Sequence, residues 1–462
     1  MPQNDEGDLA QHEVELDITN VAHGGVFVAR HEGRVVFVPD TMPGERVRAR
    51  IGDTRHQSFW RGEVVEVLEA APERQPHVWE AAAIERPPAQ RAGGAEFGHI
   101  RLEHQRELKH RVIEDALTRT AKLSPEAVAT AGVGGGRVTV EPVAGETEDG
   151  TGWRTRVRLQ VDRQGRLGPF APRSHTVIPV DDLPLATALV QEATPFGQLF
   201  PGAESVDVVA TGLGTSHVLV NDAPERPGGN RGAGGNRAGG GRAGRGRNRA
   251  SARPQRPRSR PQPVPIRERV GDREFRLDAR GFWQVHRAAA QTLTEAVQSA
   301  VDEPLFDPRA ANLDLYGGVG LLAAALGDRF GSTLRITSVE SSETATDDAA
   351  ENLADWVGAS AITDRVERYI TRLAADASAA ERARLRAATV VLDPPRSGAG
   401  RDVVDAISSL TPAQVVYVAC DPVALARDLA FFAGHGYELR GLRAFDLFPN
   451  THHVEAVATL TR

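Results

Sequence analysis

The single cysteine of the 462-residue chain, Cys420, closes the run Val415-Val416-Tyr417-Val418-Ala419-Cys420-Asp421-Pro422. The apolar residues predict a strand, Asp421 suits a helix N-cap and Pro422 the first helical position. The thiol would then stand at the mouth of a strand beside the positive end of a helix, which lowers a thiol pKa and uncovers the sulfur. Asp421 acts in the opposite sense. A lone cysteine is often a small packing residue, but this setting favours a nucleophile. Two further segments carry carboxylates. Leu392-Asp393-Pro394-Pro395-Arg396 follows the apolar Ala388–Leu392, and its paired prolines make a stiff loop without N–H donors, suited to walling a planar base or aiming one carboxylate. Thr451-His452-His453-Val454-Glu455-Ala456-Val457 opens the last strand. Glu455, just inside that apolar strand, is a candidate base with a raised pKa. The adjacent histidines should point to opposite faces of the strand, so no shared metal is expected.

A cofactor loop is readable upstream. Asp314-Leu315-Tyr316-Gly317-Gly318-Val319-Gly320 ends one strand and opens a helix. Its glycines, Gly318 and Gly320 among them, let the backbone turn tightly against a ligand. Such a loop suits a dinucleotide as well as S-adenosylmethionine. Glu340, 26 residues after Asp314 at the end of the next strand, can accept both ribose hydroxyls, and the pair favours an adenosine cofactor.

These segments need an element to hold them together. From Pro265 to Arg462, the strands LDLY, RITSVE, ATVVLD and QVVYVA alternate with helices near 320–328, 343–355, 401–409 and 422–433. That βα repeat predicts an α/β, doubly wound, mostly parallel sheet, with ligands beyond the carboxyl ends of its strands. Ahead of it, residues 12–72 carry short Val/Phe/Ile runs broken by Gly-Gly, Glu-Gly and Pro-Gly turns, the pattern of a small β-barrel that commonly binds single-stranded nucleic acid. Residues 73–221 predict a central α+β domain, with a helix over Leu102–Thr120, another near Asp181–Glu192, and strands in WRTRVRLQVD, HTVIPV, VDVVAT and SHVLVN. Arg154, Arg156 and Arg158 would share one strand face, which suits either contact with RNA or a solvated edge. Residues 1–11 predict a disordered tail.

Composition narrows the class. Hydrophobic residues make up 40% and charged residues 25%, as in a soluble globular chain. No apolar run reaches the length of a membrane span, and the polar, acidic start is unlike a signal peptide; a cytoplasmic monomer is expected. One cysteine excludes an intrachain disulfide and any multi-cysteine metal site. Residues 222–265 are low in complexity, with eleven arginines and no acid between Arg226 and Arg260, although the chain is net −7. A disordered Arg/Gly-rich insert of this kind tracks a polyanionic backbone.

In their order, the barrel with its Pro43-Gly44 turn, the segment Gly281-Phe282-Trp283-Gln284-Val285-His286, the Asp-Pro-Pro-Arg loop, the Cys-Asp-Pro elbow and the His453-Val454-Glu455 ending resemble the TRAM-domain RNA 5-methyluridine methyltransferases, which act on tRNA or 23S rRNA. The resemblance spans nearly the whole chain. It implies a C-terminal Rossmann-like methyltransferase domain over 266–462, a TRAM/OB-like barrel and structured RNA as partner. It also implies S-adenosylmethionine contacted by Gln284, Tyr316, Glu340 and Asp393, with Cys420 as nucleophile and Glu455 as base. In that chemistry a thiolate adds to C6 of uracil, C5 takes the methyl group, and a base removes the C5 proton; the uridine must first leave its stack. The chain departs from the family pattern at three places. Ala92-Gly93-Gly94-Ala95 and a position near Leu183 replace the cysteines that hold an iron–sulfur cluster in many members, so no cluster is expected. His286 and Asp421 stand where the family has Asn. Two other readings suit the same fold: a transferase acting at another base position, which would need no cysteine, and a non-catalytic RNA-binding protein.

Overall fold

In the C-terminal sheet, consecutive residues of each strand face opposite sides, so a fully buried strand must be apolar on both. Gln414–Ala419 is such a strand: Val415, Tyr417 and Ala419 join one core, Val416 and Val418 the other. This computed structural model describes residues 12–53, 58–223 and 262–462. The expected tail, and all but the ends of the Arg/Gly-rich insert, lie outside the described residues.

Eight strands form the sheet, in the order Gly358–Thr363, Arg335–Glu340, Asn312–Leu315, Thr389–Leu392, Gln414–Ala419, Glu455–Thr461, Glu438–Phe445 and Val140–Glu141. The first five run parallel, and Glu455–Thr461 is antiparallel to both its neighbours. The chain winds outward from Asn312–Leu315 to Gly358–Thr363, then returns to the other side at Thr389–Leu392. The crevice where a doubly wound sheet binds its ligand therefore opens at the carboxyl ends of Asn312–Leu315 and Thr389–Leu392. Helices Leu321–Phe330, Glu343–Asn352, Arg401–Leu410 and Pro422–Gly434 begin close to the positions read from sequence.

Upstream, the closed five-stranded barrel runs through Glu13–Ala22, Val26–His31, Arg34–Val38, Arg46–Asp53 and Phe59–Glu69. Phe97, Ile100 and Leu108 of the following segment extend its core, seating the barrel on the body. The central region departs from expectation. Helix Leu102–Arg119 and strand Val140–Glu141 belong to the C-terminal layer: Ile113, Ala116 and Leu117 pack with Leu425, Leu429 and Leu442, and Val140–Glu141 pairs with Ala444–Phe445. The remaining four-stranded sheet orders Ser216–Asp222, Ala203–Ala210, Arg156–Val161 and Leu167–Gly168. HTVIPV is irregular apart from a single bridge at Val177, and the helix expected near 181–192 shrinks to Ala188–Ala193. No helix among the described residues is long and apolar enough to cross a membrane.

Candidate active site

One cleft of about 810 Å³ lies over the carboxyl ends of the central strands, large enough for a nucleoside-sized ligand with a second ring beside it. Its lining brings together Gln284, Tyr316, Gly318, Glu340, Asp393, Cys420 and Glu455. Of the residues singled out from sequence only Gly320 is missing from the wall. It is buried as the N-cap of Leu321–Phe330, at φ 87°, with the side chain of Leu353 just beyond where a Cβ would be.

The glycine loop is tight. Tyr316 itself takes φ 62°, a costly conformation for a residue with a side chain, and turns the chain into Gly317. A Cβ on Gly317 would come 2.0 Å from Ser338 Oγ and 2.5 Å from Asp314 Oδ2. Asp314, fully buried under the loop, accepts the Ser338 hydroxyl at 3.0 Å, while its other oxygen is buried without a partner. Glu340 Oε2 accepts the Gly318 N–H at 3.3 Å, and Oε1 accepts from Ser341 Oγ and the Ser342 N–H. The carboxylate thus braces the loop while facing the cleft.

At the opposite wall, Ala419 pairs with Ala456 in the antiparallel register. Cys420 directly follows this pair on one strand and Glu455 directly precedes it on the other, and both line the cleft. As the sequence indicated, Asp421 caps helix Pro422–Gly434: its Oδ1 accepts the N–H groups of Val423 at 3.0 Å and Ala424 at 2.8 Å. The two opposing influences read from sequence, the helix end and Asp421, left the net direction of the thiol pKa open, and it is upward. Burial, then the Glu455 and Asp393 carboxyls, push Cys420 up to about 12; Arg396 pulls it down. Burial is also the chief cause that raises Glu455 well above the usual carboxylate range, reinforced by Asp393 and opposed by Arg396. Burial and the neighbouring Asp314 raise Asp393 in turn. The cleft gathers acidic groups with few countercharges.

Other expectations need correcting. His452 and His453 precede the strand in a turn, and their rings lie 3.9 Å apart at the centroids rather than on opposite faces. Among the described residues no group of three or more His, Cys, Asp and Glu could hold a metal ion. The three arginines are engaged within the protein, with Arg158 alone exposed. Arg154 Nε donates to the Arg156 carbonyl, Arg156 holds the Gly281 carbonyl at 2.8 Å, and Arg158 forks onto Asp207. Arg156 thereby anchors the loop carrying Phe282, which is 72% exposed at the cleft's rim. His286 is buried, stacked on Trp153 and accepting the Ala288 N–H; it does not line the cleft. Sequence reasoning missed His23, whose Nε2 lies 2.8 Å from Asp421 Oδ2. No local pattern marks a histidine on a barrel turn as a neighbour of residue 421.

Comparisons with known proteins agree with this arrangement. Residues 267–462 match the family model "tRNA (Uracil-5-)-methyltransferase", and residues 12–65 match the TRAM domain. An uncharacterized RNA methyltransferase of Streptomyces coelicolor is 37% identical, over 99% of this chain and 95% of its own. The 23S rRNA (uracil(1939)-C(5))-methyltransferase RlmD of Alkalilimnicola ehrlichii is 30% identical over 98% of both. Among solved structures, the tRNA (uracil-54, C5)-methyltransferase of Pyrococcus abyssi, in complex with S-adenosyl-L-homocysteine, shares the fold. Its TM-score is 0.62 at 20% identity, covering 96% of this chain and 99% of that one. With family models matched at both ends and relatives aligned along its whole length, the chain belongs to the S-adenosylmethionine-dependent RNA (uracil-C5) methyltransferases.

Proposed function

We propose that the chain methylates C5 of a uridine in tRNA or rRNA through a covalent bond between Cys420 Sγ and C6 of the base. The observation that carries this reading is that Cys420 and Glu455, each one residue beyond the Ala419–Ala456 pair, line the same cleft as Gln284, Tyr316, Glu340 and Asp393.

The residues present fit S-adenosylmethionine. Glu340 faces the cleft from a strand end with its ribose-accepting carboxylate, Gly317 leaves no room for a Cβ, and Asp393 and Glu455 add acidic groups to the wall. When bound, the cofactor supplies an electrophilic methyl group on a positively charged sulfur. Everything else falls to the protein. Gln284 and Tyr316 would orient the donor, and Pro394-Pro395 would wall the base. Cys420 Sγ, after losing its proton, adds to C6 and leaves C5 electron-rich. Once C5 carries the methyl group, Glu455 takes the C5 proton, and the C6–S bond breaks to restore the ring's double bond. Arg396 is the cation that favours the ionised thiol and the ionised Glu455. Cys420 and Glu455 sit deep in the cleft's lining, so a uridine within folded RNA would have to be flipped from its stack to reach them.

We infer that the reaction proceeds without an iron–sulfur cluster. Ala92, Ala95 and Leu183 pack with Trp79, Trp153 and Leu185 in an apolar core, which supports that reading.

The test is to incubate the protein and cofactor with 5-fluorouridine-substituted tRNA and rRNA. A covalent adduct at Cys420, lost in Cys420→Ser, is the expected result, because fluorine cannot leave as a proton. Full methylation by Cys420→Ala would refute the covalent route, and sequencing the trapped RNA names the uridine.

A further inference from the structure

The barrel touches the catalytic elbow at two points. Its turn, Ala22–Gly25, seats against His452 so closely that a Cβ on Gly25 would lie 2.9 Å from the His452 ring and Cβ. Beside it, His23 Nε2 meets Asp421 Oδ2 at 2.8 Å, while Asp421 Oδ1 is committed to the helix N-terminus. Asp421 therefore has one oxygen per partner, and its outer charge is turned toward the barrel. This seam and Cys420 line the same narrow pocket.

We propose that His23 is a positioning residue for the reaction: by holding the outer oxygen of Asp421 it offsets the negative charge beside Cys420, so that seating of the N-terminal barrel sets how readily the nucleophile ionises. This rests on Cys420 being the nucleophile proposed above. The chemistry is direct. A carboxylate one residue from a thiol disfavours the thiolate, and a cation paired with that carboxylate removes part of the effect. The Asp421 hydrogen bond raises the His23 pKa, and His23 in turn lowers that of Asp421. The protonated pair therefore extends toward neutral pH. Lys109, His452 and His453 share the pocket with His23, but Lys109 is committed to Asp446 and His452 lies toward Glu96. Burial and His452 hold His453 at about 3, so it is neutral. On the cleft side the thiol faces Glu455, Asp393 and Arg396, none of which contacts His23.

Because the chain has one cysteine, alkylation of Cys420 by iodoacetamide, followed by mass spectrometry of its peptide, reports thiolate directly and needs no RNA. Near pH 7, His23→Ala should react about three- to tenfold more slowly than the unaltered protein, the range expected for one partly screened charge at this position. The two profiles should converge at alkaline pH, once His23 has lost its proton. His23→Arg should react at least as fast as the unaltered protein and stay fast at high pH. In an Asp421→Asn background, removing His23 should change nothing. The pH profile of methyl transfer should move in the same direction. The proposal is overturned if His23→Ala matches the unaltered protein, if its deficit is the same at every pH, or if the deficit persists with Asn at 421. Loss of the fluorouridine adduct with this coupling intact would instead sink the covalent reading and leave the His23–Asp421 linkage standing.

Discussion

Lys109→Met isolates one charge in the packing that holds the candidate site. Lys109 Nζ lies 2.5 Å from Asp446 Oδ1 and donates to the Phe448 carbonyl at 3.1 Å, with both charged side chains sealed from solvent. Burial lowers the lysine pKa, and the Asp446 carboxylate opposes that shift. Methionine keeps the apolar stem, so the substitution leaves Asp446 as a buried charge without its cation. Arg106 cannot take over: its Nε is 3.4 Å from Asp446 Oδ2 without a hydrogen bond, and it is already paired with Glu146. Breaking a buried pair from one side costs about 3–5 kcal/mol. For a layer of roughly 200 residues that corresponds to a fall in melting temperature on the order of 10 °C. Removing both charges together, as in Lys109→Met with Asp446→Leu, should recover most of the loss, because an apolar replacement of a buried pair is often neutral or stabilising. Thermal unfolding followed by near-ultraviolet circular dichroism measures both variants. If the single variant melts within about 2 °C of the unaltered protein, or the double variant melts below the single one, the pair does not clamp the helix to the catalytic layer as the distances indicate.

The raised pKa of Glu455 gives the pH dependence its sign. A base must be ionised to take a proton, and the ionised fraction is lost as pH falls through a pKa held above the ordinary carboxylate range. Single-turnover release of the C5 proton should therefore weaken as pH falls while the pH is still above the ordinary carboxylate range, and a rate that holds level down to the pH where an exposed glutamate titrates would contradict the assignment. Glu455→Gln should slow release of the C5 proton by about 10²–10⁴-fold, read as loss of tritium from 5-tritiated uridine. Gly317→Ala should weaken S-adenosylmethionine binding about tenfold, since overpacking costs about 1–3 kcal/mol. Gly434→Ala, which meets nothing within 4 Å, should leave affinity unchanged in the same calorimetric titration.

What was legible in the sequence followed local rules. Apolar strand runs, the Asp421-Pro422 helix start and the glycine loop each depend on a few adjacent residues, and each stands where those rules put it. The failures came from distant partners. The thiol of Cys420 is pushed up by burial first and then by Glu455 and Asp393, both remote in sequence, so neighbouring residues alone could not give the direction. Helix Leu102–Arg119 looked like part of the central unit because its packing partners lie some 300 residues downstream. The histidine pair was misjudged by two positions: the strand begins at Glu455, so the period-two rule does not reach His452 and His453. Arg156 and Arg158 alternate as expected along their strand, yet Gly281 and Asp207, both remote in sequence, occupy their guanidinium groups.

The short strand Val140–Glu141 closes the far edge of a sheet whose neighbouring strand begins at Glu438. A ribosome releases that edge some 300 residues before its partner Ala444–Phe445, so the layer cannot finish assembling until that strand has been made. A fragment cut near residue 266 to obtain the transferase alone would lack this edge together with the helix that shields Leu425 and Leu442. It would present bare apolar surface and an unpaired backbone, the conditions for aggregation. Shortening this enzyme calls for trimming around the barrel, with residues 102–143 kept.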